Sequence, residues 1–206
     1  MKIMTRKPNV IKCIIFDVGG VLVRENILSV FEDANKTLGK KAFKERKGLY
    51  RVARTGKISM QEHYKILGKK TGISPQQLRR AFLQSFLKTM KPNKDTINIA
   101  KRLKQKGYKI SIISNISEMS KKANIKRNLY DGFSPVIHSC DVGCIKPQKK
   151  IFDIFLKRAN VKPHECVFID VIKEHFHYPK KMGIKVIHFK STNRLIKDLQ
   201  KLGVKI

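Results

Sequence analysis

The 206-residue chain has no tryptophan, four cysteines, 15 acidic residues and no apolar run near the about 20 residues that a membrane-crossing helix requires. Without such a run there is no membrane-spanning helix to expect. Residues 1–12 are basic but carry no long apolar stretch, so they do not read as a secretory signal, and a cytoplasmic protein is expected. The cysteines agree with that compartment. Cys13 and Cys166 lie inside apolar runs, and the spacing of Cys140 and Cys144 is unlike a paired zinc knuckle, so all four read as reduced packing residues. No internal repeat and no low-complexity linker interrupts the chain.

The scarcity of acid leaves a large imbalance. Against 15 Asp and Glu stand 46 Lys and Arg, a formal net charge of +31. Such a chain draws anions, whether phosphate esters, nucleic acid or acidic lipid, and the field alone selects none of them. The basic residues are spread at helix-like spacing, as in Lys36, Lys40, Lys41, Lys44, Arg46 and Lys47, without interleaved aromatics. They read as a solvated basic face with nonspecific polyanion binding, not as a recognition module.

Hydrophobic residues make up 41% of the chain and charged residues 30%, an ordinary balance for a globular protein. Four short β-branched runs, at residues 11–16, 109–113, 165–169 and 185–189, predict buried parallel strands. Between them lie helical patterns at 94–106, stopped by Gly107, at 147–160, and at 178–182, stopped by Gly183. Strands alternating with helices predict a doubly wound, Rossmann-like α/β sheet covered on both faces. Residues 25–91 differ: they have helical periodicity and no convincing strand. Breaks are expected at Gly39, Gly48, residues 55–57 and residues 72–75, where Ser74 and Pro75 suit the N-cap and N1 positions of a helix through Phe86. The predicted division is a core of 1–24 with 92–206, interrupted by an all-helical insertion at 25–91.

In doubly wound sheets ligands bind beyond the carboxyl ends of the strands. Asp17, Ser114 with Asn115, and Asp170 occupy such ends, and Lys146 sits in the loop before the 147–160 helix. Two carboxylates at neighbouring strand ends repel unless a cation lies between them, and an oxygen-only pair suits Mg²⁺, which keeps several waters and borrows phosphate oxygens. A hydroxyl, an amide and an ammonium complete an anion cradle. That set favours phosphoryl transfer to a carboxylate nucleophile.

The ordered motifs IIFDVGGVLV at 14–23, GYKISIISN at 107–115, GCIKPQ at 143–148 with Ile151 and Phe152, and CVFID at 166–170 running to GIKVIHF at 183–189 span nearly the whole chain. Their arrangement resembles the haloacid dehalogenase-like hydrolase superfamily, in its branch with a helical cap after the first strand. The resemblance implies that residues 25–91 form the cap and that Asp17 attacks phosphorus to give an aspartyl-phosphate. It further implies that Ser114 holds a phosphate oxygen beside Asn115, that Lys146 neutralises nucleophile and phosphate, and that Mg²⁺ is bound by Asp17, Asp170 and the carbonyl of Gly19.

The implied reaction is hydrolysis of a small phosphorylated metabolite. Two positions depart from the family pattern. Gly19 stands where its phosphatases commonly carry an acid–base Asp, and Val171 replaces the second Asp of an Asp-Asp pair. Glu174 is the nearest downstream candidate to support the metal in place of that second Asp.

Other classes remain open at this point. A catalytically weakened descendant would keep the anion pocket and bind anions or nucleic acid through its basic surface; a dehalogenase-like hydrolase would direct Asp17 at carbon and need no metal. His175 and His177 with Glu174 read as ordinary loop residues, since further ligands for a transition-metal site are missing. His63 and His138 read as polar or partly buried histidines. Phe31, Phe43, Tyr50, Tyr64, Phe82 and Phe86 read as helix-packing residues. Oligomeric state has no signature in the chain.

Overall fold

The computed structural model describes residues 10–24, 27–39 and 48–206. Residues 1–9, Glu25 at the expected start of the insertion, Phe43, and the basic cluster of Lys40, Lys41, Lys44, Arg46 and Lys47 lie outside the described residues.

Five parallel strands form one sheet in the order β3-β2-β1-β4-β5: β1 (Cys13–Phe16), β2 (Lys109–Ser114), β3 (Val136–His138), β4 (Cys166–Asp170) and β5 (Lys185–His188). The sheet is apolar on both faces because successive side chains point to opposite sides. Ile14, Phe16, Val167 and Ile169 enter one core cluster, whereas Cys13, Ile15, Cys166 and Phe168 enter the other. Helices α4 (Lys94–Gln105) and α9 (Thr192–Lys201) cover the first face with Leu103, Leu195 and Leu199. On the second, α7 (Lys149–Ala159) contributes Ile151, Phe152 and Phe155, ahead of α8 (His177–Met182). This is the expected α/β architecture.

Chain direction is reset by local chemistry. Gly107 takes φ +88° just after α4, a left-handed turn that a Cβ would disfavour, and returns the chain into β2. The strand missing from the sequence reading is β3. It has three residues and follows Pro135, too short to display a period of two. Before it runs α5 (Glu118–Ile125), and after it α6 (Ser139–Val142), two short helices that also escaped periodicity.

Between β1 and α4 the described residues hold helices α1 (Ile27–Leu38), residues 48–53, α2 (Met60–Thr71) and α3 (Pro75–Thr89), with no strand beyond isolated bridges. Helix α3 begins as its sequence predicts: Ser74 and Gln77 form a reciprocal capping box, with Pro75 in the first turn. Helix α1 packs on α3 through the edge-on pair Phe31–Phe82 at 6.2 Å, and α3 on α2 through the stacked pair Tyr64–Phe82 at 6.4 Å, while Phe31 also meets Tyr50 of residues 48–53 edge-on at 5.3 Å. The outgoing and returning chains are joined side by side, with Arg24 N donating to the Lys91 carbonyl at 2.9 Å and Asn93 N to the Leu22 carbonyl at 2.8 Å. No helix among the described residues is long and apolar enough to cross a membrane.

Candidate active site

Parallel register brings the predicted residues together. Phe16 pairs with Ile169 and with Ile112, so the next residue of β1, Asp17, emerges beside Asp170 and just before the level of Ser114. The Asp17 amide still donates to the Ile169 carbonyl at 2.9 Å, which fixes its backbone at the carboxyl end of the central strand.

Lys146 binds the two carboxylates together. Its Nζ lies 2.8 Å from Asp17 Oδ1 and 2.7 Å from Asp170 Oδ2, with the Lys146 side chain fully buried. The ammonium also sits 5.3 Å from the centre of the Phe168 ring. Asn115 holds this lysine in place: its Oδ1 accepts from Lys146 N at 2.7 Å, and its Nδ2 donates to the Lys146 carbonyl at 3.0 Å. Asn115 therefore has a positioning task in addition to lining the cavity described below.

Asp170 is fully enclosed. Its Oδ1 accepts from the Ile172 amide at 2.9 Å, and its Oδ2 meets His175 Nδ1 at 2.8 Å in addition to Lys146. Burial alone would raise its pKa, but the Lys146 ammonium and the His175 ring outweigh burial and hold the carboxyl well below the usual carboxylate range. Asp17 moves the other way: burial and the adjacent Asp170 charge push it up against the pull of Lys146. Two carboxylates share one ammonium, and the one with more donors keeps the firmer charge.

A cavity of about 340 Å³ opens above this floor, lined by Asp17, Gly19, Ser114, Asn115 and His175. Its walls include Ile27, Tyr50 and Arg54 from the inserted helices and their following turn, and Phe86 and Met90 at the end of α3. Ile116, Ser120 and Asn124 complete it from the α5 side. A volume of this size suits a small molecule. Another depression, of about 520 Å³, lies at the opposite ends of β1 and β2 beside Lys12, Lys106 and Lys109, away from the carboxylates.

Gly19 has no atom within 4 Å of the place a Cβ would occupy, so the backbone beside Asp17 faces open space. Gly20 is crowded instead: at φ +76°, a Cβ there would stand 3.1 Å from both methyl groups of Val171. Val171 fills its position with packing against this loop.

Three residues of the site, His175, Arg54 and Asn124, belong to none of the sequence motifs. His175, treated as an ordinary loop histidine, is buried, bonded to Asp170 and part of the cavity wall. Its place five residues past a strand-end Asp was the available clue. Glu174, the expected support for a metal, is exposed and lies outside the cavity lining. Arg54 and Asn124 are brought in only by tertiary folding. Tyr50 and Phe86 pack as expected and also face the cavity. All four cysteines are free; Cys13 and Cys166 stand opposite each other on β1 and β4, but Cys140 is half-exposed and so is not a packing residue.

A family model for haloacid dehalogenase-like hydrolases matches residues 11–170. The chain belongs to this family. Among curated relatives of this haloacid dehalogenase-like protein, D-ribitol-5-phosphate phosphatase of Bacteroides thetaiotaomicron is 27% identical over 85% of the chain and 90% of its own length. Bifunctional epoxide hydrolase 2 of Sus scrofa is 26% identical over 95% of the chain but only 40% of its own length, so the chain spans about two fifths of that relative. Among solved structures, a family enzyme from Bacteroides thetaiotaomicron in complex with magnesium and inorganic phosphate superposes with a TM-score of 0.76. It is 21% identical and covers 87% of this chain and 94% of its own. At that identity the likeness establishes the fold.

Proposed function

We propose that the chain is a Mg²⁺-dependent phosphomonoesterase acting on a small phosphorylated metabolite, with residues 25–91 serving as a cap. The observation that carries this reading is the buried Lys146 ammonium bridging two strand-end carboxylates beneath a small-molecule cavity. The D-ribitol-5-phosphate phosphatase relative, aligned over most of both chains, supports the same reaction class.

The residues present fit Mg²⁺. Among the described residues no three acidic, His or Cys side chains cluster to hold a metal, so a site here rests on oxygen donors and water. A carboxylate has about four lone-pair positions; Asp170 engages Oδ2 twice and Oδ1 once, leaving one on Oδ1. Asp17 and the backbone carbonyl of Gly19, two residues on, would supply the rest, an all-oxygen set of the kind Mg²⁺ prefers. When bound, Mg²⁺ would neutralise phosphate charge together with Lys146.

In this reading an Asp17 carboxylate oxygen attacks phosphorus, forming the aspartyl-phosphate as the ester P–O bond breaks. Ser114 and Lys146 hold the phosphoryl oxygens. Gly19 offers no proton, so the departing alkoxide takes one from water. A second water then attacks phosphorus, its proton passing to the hydroxide left by the first, and the acyl–phosphate P–O bond breaks to release phosphate and regenerate the Asp17 carboxylate. The inserted helices limit solvent entry during both steps.

The test is hydrolysis of p-nitrophenyl phosphate and a phosphometabolite panel, with and without Mg²⁺, by the protein and an Asp17→Asn variant prepared in parallel. Mg²⁺-dependent turnover by the first and none by the second is expected. No turnover by folded protein would favour the anion-binding reading that Gly19 and Val171 motivate. Equal turnover with chelator would remove Mg²⁺ from the reading, and metal-free release of halide from a 2-haloacid would instead point to dehalogenase-like chemistry.

Val171 supplies a graded check. An apolar side chain cannot accept hydrogen bonds from metal-bound water, and such outer contacts are worth about 10–100-fold in metal affinity. Val171→Asp is therefore expected to lower the Mg²⁺ concentration for half-maximal activity by about that factor. An unchanged Mg²⁺ titration would place the metal's water shell elsewhere.

A further inference from the structure

Among the described residues, two buried polar atoms of side chains that line the cavity have no partner. Arg54 Nε is buried with no acceptor, and Asn124 Oδ1, in a side chain 1% exposed, has no donor. The other end of the same amide donates to the Tyr130 hydroxyl at 3.0 Å. A buried donor or acceptor left unmade is destabilising, and more so when charged. Both atoms belong to side chains lining the same cavity.

Arg54 is held there by its surroundings. Its backbone carbonyl accepts from Ser139 Oγ at 2.6 Å, tying the turn after residues 48–53 to the start of α6. Two residues on, Gly56 adopts φ +70° with no room for a Cβ against the Cys140 backbone. The guanidinium carbon lies 6.0 Å from the Tyr50 ring centre. No carboxylate among the described residues pairs with Arg54, although other surface cations have found one. Arg54 is also the one permanent cation among the described residues lining the cavity, since Lys146 lies beneath it, engaged with Asp17 and Asp170.

The remaining wall is largely apolar, including Ile27, Phe86, Met90, Ile116 and Ile172. An anion entering there loses water and gains most from a donor that matches its shape. A planar guanidinium presents paired donors that suit a two-oxygen carboxylate. Asn124 calls for a hydroxyl, which serves either orientation of the amide because it both donates and accepts.

We propose that Arg54 binds a carboxylate on the leaving-group side of the substrate and Asn124 a hydroxyl of the same molecule, so that the substrate class is a phosphorylated hydroxy acid. The proposal rests on the phosphomonoesterase reading of the Asp17 site and deepens it by assigning the non-reacting end of the ligand. The phosphate end lies over Asp17, Ser114 and Lys146; the acid end lies at Arg54.

Three matched pairs test it, each differing by a carboxylate against a hydroxymethyl group. They are 2-phosphoglycolate and 2-hydroxyethyl phosphate, 3-phosphoglycerate and glycerol 3-phosphate, and 6-phosphogluconate and glucitol 6-phosphate. The readouts are kcat/KM for the unaltered chain and calorimetric Kd for Asp17→Asn, each with and without Arg54→Gln, with melting curves to confirm folding. In at least one pair the acid should be preferred by about 10–100-fold, the range expected of a charge-assisted contact. Arg54→Gln should bring that ratio close to one, and Arg54→Lys should retain part of it.

Ratios below threefold in all three pairs, or a preference that survives Arg54→Gln, overturn the proposal. The two levels separate cleanly. An Arg54-dependent acid preference in Kd without any turnover sinks the phosphatase reading and keeps the acid site. Asp17-dependent hydrolysis of p-nitrophenyl phosphate without discrimination in any pair sinks the acid site alone.

Discussion

Lys146→Met should destabilise the fold by about 3–5 kcal/mol, the usual range when one partner of a buried ion pair is removed. Methionine keeps most of the stem that packs by Phe168, so the missing quantity is charge. Asp17 and Asp170 would then face each other with no ammonium between them; Asp170 would keep His175 and the Ile172 amide, and Asp17 would lose its ion-pair partner. In a chain of this size the loss corresponds to a melting temperature lower by about 6–20 °C.

Calorimetry at neutral pH with chelator, then with Mg²⁺, makes the measurement. A ligand that binds only the folded state raises stability with its concentration, so Mg²⁺ should return part of the loss if both carboxylates face one divalent site. A shift below about 1 kcal/mol, within the range of exposed ion pairs, would show that Lys146 does not bridge them as described. Loss of stability with no recovery in Mg²⁺ would remove the metal from the proposed reaction. Turnover should fall to background in either condition, because the variant lacks the cation opposite the transferring phosphoryl group.

Gly19→Asp is expected to act in the opposite direction. The place for a Cβ is open to 4 Å, and Gly19 is not among the glycines with positive φ, so the side chain enters without backbone strain. A positioned acid contributes about 10²–10⁴-fold to proton transfer. The gain should appear with alkyl phosphates, whose alkoxide leaves poorly, and little with p-nitrophenyl phosphate, whose leaving group needs no proton. The measurement is kcat against leaving-group pKa for both proteins. A flattened dependence in Gly19→Asp is the expected result. Parallel lines would mean that a carboxylate at this position does not reach the departing oxygen, or that the chain already supplies the proton by another route.

The sheet is legible in the sequence where residues form long apolar runs. Residues 11–16, 109–113 and 165–169 announce buried strands because both faces are covered, and the residues that follow them are the ones the register assembles. Strand β3 is not legible there, because its three residues sit at the sheet edge beside β2 with little pattern to display. Helix α9 was also unassigned; its inward residues are Leu195 and Leu199, one turn apart amid polar and basic neighbours. The site divided along the same line. Asp17, Ser114, Asn115, Lys146 and Asp170 were legible because each belongs to an ordered local motif, and His175 was passed over because it belongs to none.

The amino-acid sequence by itself determined the α/β class, the interruption after the first strand and the identities of the charged groups at the strand ends. These follow from local periodicity, turn chemistry and residue type, quantities a chain carries before it folds. Tertiary structure alone decided that one ammonium serves both carboxylates, that Asn115 clips the Lys146 backbone and that His175 rather than Glu174 supports Asp170. It also decided that Arg54, 37 positions beyond Asp17 in the numbering, lines the same cavity as Asp17. Such pairings depend on distance and desolvation between segments remote in the chain, and no one-dimensional pattern encodes either.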